Sequence, residues 1–351
     1  MNDFFFLLLA PVFLVSLLVS LLATAVVKKV AHRFQILDKP NARKIHTEAI
    51  PTIGGVAIFL GFVLAIVSHL EMNQTLLAIL GGSTLIVALG LMDDLWGMPA
   101  SVKLIGQFLV AALTHQMGIQ VSFLSNPLTQ EMVAVHWLSF PITVIWIVAI
   151  MNTVNLIDGI DGLAGGVVAI SAFFLTIVAL MNGQYVMAVI TVAILGSCLG
   201  FLKYNFPPAQ IFMGDSGAMF LGYVLALASI LGVFKTTITL SLAIPIFVLG
   251  LPITDTIYAI CRRIKNKKAL FIADTDHIHH RLVQKGLTHK QVAAFLYTIS
   301  IVLGVLGVLM SFLSGGKAII VFGIAVCFII FVYVLIRRKR DVIFNFFQLF
   351  F

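Results

Sequence analysis

Charge is what this chain has least of: Asp, Glu, Lys and Arg make up 10% of its 351 residues, against about 25% in an ordinary soluble domain. That excludes a secreted enzyme and a cytosolic enzyme held by one anchor. Cysteine is scarce as well. Cys198, Cys261 and Cys327 are the only three, unpaired in spacing and two of them in mid apolar run, so they read as small packed side chains and not as a disulfide frame. Low-complexity tracts and internal repeats are missing, and with them the duplicated halves of many secondary transporters. A basic start is missing too: the chain opens Met1-Asn2-Asp3, unlike a cleavable signal peptide, so its first apolar segment is expected to stay as an anchor.

Apolar residues fill the space that charge leaves. They make up 61% of the chain, with a mean hydropathy of +1.11. At roughly 20 residues per membrane helix there is material for about 11 crossings and almost none for a soluble domain. Apolar runs bounded by charge, Pro or Gly place these near residues 4–27, 52–70, 75–92, 104–118, 137–153, 163–181, 184–202, 217–234, 238–260, 291–313 and 317–336. The expected fold is an all-α polytopic membrane protein, a single transmembrane domain over 1–351.

Twenty of the 22 Lys and Arg residues fall in alternate loops or at the C-terminus, leaving only Lys235 and Lys317 for the other face. The positive-inside rule then predicts the N-terminus outside and the C-terminus cytoplasmic. The net charge of +8 is mostly topology, with some attraction to anionic lipid; it is no footprint for nucleic acid.

The acids are sorted with equal sharpness: all but Asp3, Glu71 and Glu131 sit at or near the predicted cytoplasmic face. Carboxylates at membrane depth cost about 2.5 to 3.5 kcal/mol each, so they need a partner or a task. Loops near 28–51, 93–103, 154–162, 203–216 and 261–290 carry the polar chemistry. Asp93 and Asp94 adjoin at a helix end, where repulsion raises one pKa or demands a cation, unless the pair is only a solvated terminus. Lys103 answers either the acids or a phosphate. Asn155, Asp158 and Asp161 recur every third position and so span about 120° of a helix face; the glycines after each Asp permit close backbone approach. Asp215, between Gly214 and Ser216-Gly217, reads either as a carboxylate offered to a large ligand or metal, or as a turn with an N-cap. Phe212 is placed to stack on a base or to anchor at the interface. Lys203 and Asn205, which open that loop, are expected to bind substrate. His277, His279, His280 and Arg281 stand together in the longest cytoplasmic loop. They fit a phosphate clamp, a transition-metal site or a solvated basic loop. Thr288 with Gln291 fits a capping box opening the tenth span. Carboxylates with amides and no thiolate favour Mg2+, with Mn2+ as its substitute, and point to phosphoryl transfer from a soluble diphosphate to a lipid. An ion or metabolite transporter and a polytopic scaffold are the readings from other classes.

On these residues the chain resembles the polyprenyl-phosphate N-acetylhexosamine-1-phosphate transferases, the MraY and WecA superfamily. Five ordered motifs carry the resemblance over nearly the whole length. They are Asp38-Lys-Pro-Asn-Ala-Arg-Lys-Ile-His46 with Pro51-Thr-Ile-Gly54-Gly55, then Asp93-Asp94, Asn155-Leu-Ile-Asp158-Gly-Ile-Asp161-Gly162, Phe212-Met-Gly-Asp215 and His277-Ile-His279-His280-Arg281. The resemblance implies Asp215 as a Mg2+ ligand, with Asn155 in the same metal and nucleotide region as Asp158 and Asp161. It implies Asp93 and Asp94 in activating the lipid phosphate or assisting the metal, Phe212 stacking on uracil, and the His/Arg loop on the diphosphate and sugar, with Lys103 and His279 among the catalytic groups. Ile278 interrupts the three consecutive histidines of the muramoyl-pentapeptide branch, so the resemblance is to the N-acetylglucosamine branch. The expected donor is UDP-N-acetylglucosamine, with UDP-N-acetylgalactosamine, another amino sugar or UDP-MurNAc-pentapeptide as alternatives. The acceptor is undecaprenyl phosphate. The expected place is the bacterial inner membrane with the site facing the cytoplasm, and a homodimer is possible.

Overall fold

The structure, a computed structural model, describes residues 2–38, 49–125, 132–233, 278–313 and 316–338, with isolated residues between 246 and 263. Eight helices run in order from the N-terminus: α1 (Asn2–Arg33), α2 (Gly55–His69), α3 (Gln74–Trp96), α4 (Ala100–Gln116), α5 (Ser139–Ile157), α6 (Leu163–Met181), α7 (Tyr185–Asn205) and α8 (Gly214–Val233). Three more follow: α9 (Ile278–Gln284), α10 (His289–Ser311) and α11 (Gly316–Arg338). Local chemistry sets several of the boundaries. Asn73 caps α3 by accepting from the Leu76 N–H at 2.9 Å, and Gly97 ends that helix at φ 68°. The predicted capping box is present at α10: Thr288 N–H donates to Gln291 Oε1 at 2.9 Å and Gln291 N–H to Thr288 Oγ1 at 3.3 Å.

Eight helices among the described residues are long and apolar enough to cross a membrane, and they coincide with eight of the eleven expected runs. The second and fourth runs form shorter helices, α2 with 15 residues and α4 with 17. The ninth, 238–260, lies mostly outside the described residues. Two short antiparallel ladders add what periodicity did not predict: β1 (Leu37–Asp38) with β2 (Ile50–Pro51), and β3 (Phe123–Ser125) with β4 (Met132–Ala134).

The bundle is built around α8, which packs against α2, α3, α5, α6 and α7. Its apolar stretch is 83% buried, against 28% for α1 and 22% for α11. A helix apolar on every side belongs in the interior, and one apolar but uncovered belongs against lipid. The interior is tied by polar pairs at depth. Thr114 Oγ1 meets Tyr223 Oη at 2.7 Å, Trp146 Nε1–H donates to Ser229 Oγ at 2.8 Å, and Asn152 Nδ2–H donates to Gln107 Oε1 at 2.6 Å.

Alternation brings the C-terminal ends of α1, α3, α5 and α7 to one end of the bundle with the N-terminal ends of α2, α4, α6, α8 and α10. Cross-connections pin them there. Lys28 of α1 donates to Gln210 Oε1 at 2.7 Å, Gly54 and Gly55 N–H donate to the Phe212 and Met213 carbonyls at 3.0 and 2.7 Å, and Phe212 N–H donates to the Pro51 carbonyl at 2.7 Å. The expected site loops therefore share one end wherever they are described.

Candidate active site

At this end three helix termini meet almost backbone to backbone. Gly214 opens α8 at φ +73°, and a Cβ there would lie 2.0 Å from the Thr52 carbonyl and 2.6 Å from Asp94 Oδ2. Gly90, one turn before Asp94, sits so close that a Cβ would lie 2.3 Å from Ser216 Cα. Only glycine fits either position. The close approach brings Asp93 and Asp94 against Asp215 across more than a hundred residues of chain.

Lys103, on the first turns of α4, bridges the acids. Its Nζ donates to Asp93 Oδ2 at 2.5 Å and also to Asp215 Oδ2. Asp93 Oδ1 accepts from the Met98 N–H at 2.6 Å, which fixes the carboxylate where α3 ends. The side chains of Lys103, Asp93 and Asp215 keep 16%, 12% and 26% of their surface, so the cluster is sheltered yet reachable. Asp94 is used differently: Oδ1 accepts from the Asp215 N–H at 2.7 Å, and Oδ2 from the Ser216 N–H at 3.1 Å and the Ser216 hydroxyl at 2.7 Å.

The turn between α5 and α6 adds two more carboxylates. Burial, followed by the negative charges of Asp215, Asp94 and Asp161, pushes the Asp158 carboxyl well above the ordinary carboxylate range. Asp158 therefore shares a field with the first acids. Asp161 is balanced separately. Burial works against its charge, but the His289 ring and the Ala209 N–H, which donates to Oδ2 at 3.0 Å, outweigh it and hold the carboxyl below the ordinary range. His289 Nδ1 stands 3.9 Å from Asp161 Oδ2.

The remaining candidates take definite places. Asn155 is half-buried in the last turn of α5, and its carbonyl accepts from the Asp158 N–H. Asn205 is buried with its amide engaged at both ends: Oδ1 accepts from the Gly162 N–H at 3.0 Å and Nδ2–H donates to the Ile211 carbonyl at 2.9 Å. It ties the Gly162 turn to the irregular segment leading into α8. Lys203 is exposed, and Phe212 is half-buried with its main chain paired to Pro51 and Gly54. His280 and Arg281 are half-buried on α9, which stands with α10 and α11. The side chain of His279, all of His277 and the segment Lys39 to His46 lie outside the described residues. Two groups that sequence reasoning missed come from α10: His289, and Tyr297, whose hydroxyl donates to the Gly162 carbonyl at 2.5 Å.

Among the described residues no group of three or more His, Cys, Asp or Glu closes on a metal by itself. The donor set suits a different kind of site. Asp93 and Asp215 already converge on one cation, the ammonium of Lys103, and the Asp94 carboxylate lies against the Asp215 backbone beside them. A hard divalent ion that takes one or two carboxylates and completes its shell with water and substrate phosphate fits these residues.

Comparison with known proteins identifies the family. The model of the glycosyl transferase family 4 matches residues 76–233, which run from α3 through α8. A Bacillus subtilis protein named as a probable undecaprenyl-phosphate N-acetylglucosaminyl 1-phosphate transferase is 39% identical over 294 residues, covering 84% of this chain and 82% of the relative. A Mycobacterium leprae decaprenyl-phosphate N-acetylglucosaminephosphotransferase is 33% identical over 82% of this chain and 80% of its own length. A Thermotoga maritima undecaprenyl-phosphate alpha-N-acetylglucosaminyl 1-phosphate transferase is 29% identical over 92% and 96%.

Proposed function

We infer the reaction from one premise: the chain belongs to the undecaprenyl-phosphate N-acetylglucosaminyl 1-phosphate transferases of the glycosyl transferase family 4. On that premise it moves N-acetylglucosamine-1-phosphate from UDP-N-acetylglucosamine to undecaprenyl phosphate. The products are undecaprenyl-diphospho-N-acetylglucosamine and UMP, and the lipid-linked sugar primes a cell-envelope glycan. The observation that carries the chemistry is the cation position shared by Asp93 and Asp215 at the end of the bundle.

In this reading Asp215, with Asn155, would hold Mg2+, which when bound would supply positive charge to the donor diphosphate and the departing UMP. Asp93, fixed by the Met98 N–H, accepts any proton left on the lipid phosphate and keeps that phosphate ionised for attack on the β-phosphorus. Lys103 supplies a mobile positive charge beside both acids. Asp158 and Asp161 line the donor side, with Asn205, His289 and Tyr297 holding their turn in shape. Phe212 offers its ring to the uracil, and His277, His279, His280 and Arg281 take the sugar and phosphate oxygens. The distribution of Lys and Arg supports a site on the cytoplasmic face of the inner membrane.

The test is UMP release by the detergent-solubilised protein supplied with Mg2+, undecaprenyl phosphate and UDP-N-acetylglucosamine. UDP-N-acetylgalactosamine and UDP-MurNAc-pentapeptide are run beside it. Release with the first donor alone is expected; release only with another moves the sugar and keeps the chemistry. No release with any donor, from protein shown to be folded, returns the chain to the transporter reading.

A further inference from the structure

We propose that Asp94 is a positioning residue: its carboxylate closes the N-terminus of α8 from the neighbouring helix and so aims Asp215 at Lys103 and Asp93. The first N–H groups of a helix have no acceptor within it. The residue before α8 is Met213, which has no side-chain oxygen to cap with, and Gly214 has no side chain at all. Asp94 supplies the cap instead, taking the Asp215 N–H, the Ser216 N–H and the Ser216 hydroxyl on its two oxygens. Its negative charge also meets the positive end of the α8 dipole.

The geometry separates the two adjacent acids. Asp93 and Asp215 each turn an oxygen to the ammonium of Lys103, whereas both Asp94 oxygens are committed to α8. Gly90 makes the arrangement possible, because one turn upstream on α3 it lets the α8 backbone close to contact distance. The second acid of the pair thus acts through Asp215 and transfers no proton itself.

The kinetic arm of the test rests on the reaction proposed above; the exchange arm stands without it. Amide hydrogen exchange is followed on the full chain in lipid nanodiscs, for wild type, Asp94→Asn and Asp94→Ala. Asn keeps one acceptor oxygen where Asp94 uses two, so it preserves part of the cap. Asp94→Asn is therefore expected to keep roughly a tenth or more of wild-type kcat with the pH profile in place, because part of the cap survives without a titrating group. Asp94→Ala is expected to lose about 100-fold and to exchange the Asp215 and Ser216 amides about tenfold faster, since its donors are left unpaired. Should Asp94→Ala fail to fold, Ser216→Ala takes its place, with a smaller loss and faster exchange at the same amides. Unchanged exchange at Asp215 and Ser216 overturns the proposal, and so does an Asp94→Asn variant as inactive as Asp93→Asn.

Discussion

Replacing the carboxylate of Asp93 or of Asp215 by an amide leaves Lys103 with one anionic partner in place of two. Either substitution, Asp93→Asn or Asp215→Asn, is expected to lower UMP release by roughly 100- to 10,000-fold, the range that positioned acid–base groups supply. The turn between α5 and α6 predicts an opposite pair of pH effects. Asp161 is held below its ordinary range, so its contribution to stability is complete above about pH 4 and is lost as pH falls through its lowered pKa. Asp158 is pushed up, so its contribution is complete below that range and is lost as pH rises through the raised pKa. In metal-free buffer at pH 7, Asp161→Asn should melt below wild type and Asp158→Asn above it, the Asp158 gap closing as pH falls below the ordinary carboxylate range and the Asp161 gap only as pH falls through its lowered pKa. Melting curves of the two variants across that range check the sign. The acids were legible in the sequence because charge is so costly in so apolar a chain. The division of labour between Asp93 and Asp94 was not, because the cap joins a residue of α3 to the start of α8, 121 positions away. His289 left a fainter trace: a histidine in the first turn of a helix opposes the dipole, and so calls for an acid beside it.

Helix ends, more than helix interiors, position this site. Gly214→Ala places a Cβ 2.0 Å from the Thr52 carbonyl at a positive φ, so the start of α8 must shift. The expected result is about 1 to 3 kcal/mol of lost stability together with a loss of UMP release larger than the melting shift explains, because Asp215 moves with the helix. The N-terminal half of α10 braces the Asp158 to Gly162 turn through Tyr297 and His289. Removing the hydroxyl in Tyr297→Phe should raise KM for the UDP-sugar by roughly 2- to 10-fold, one hydrogen bond's worth, with kcat little changed; donor titrations at fixed lipid would show the split. Most spans could be read from hydropathy, and the capping box of α10 from Thr288 and Gln291. The shortness of α2 and α4 could not be read from hydropathy, since apolar composition does not fix where a helix starts and stops. The bracing by α10 was hidden because Tyr297 and Gly162 are 135 residues apart.

Taken as a molecule, the bundle gathers its polar termini at one end, and the charge pattern predicts the cytoplasmic side for that end. In a background where the three cysteines are replaced, an impermeant maleimide added to intact cells should label Met72→Cys. Phe34→Cys should be labelled only after permeabilisation; both positions are well exposed, at 51% and 68%. The reverse pattern would invert the orientation. The gradient of burial from α8 outward has a mechanical consequence. A bilayer of changed thickness acts on helices through their lipid-facing surface, by tilting them or by deforming around them. Such stress falls on α1 and α11 and hardly reaches α8, so the spacing of Asp215 from Asp93 should hold while acyl chains are lengthened or shortened. A direct polar link to the site end is at Lys28, which ties the outer helix α1 to Gln210, in the segment that runs into Phe212. Lipid thickness should therefore tune how the donor's base is received, while the reacting acids, carried on the interior of the bundle, keep time independently of the membrane around them.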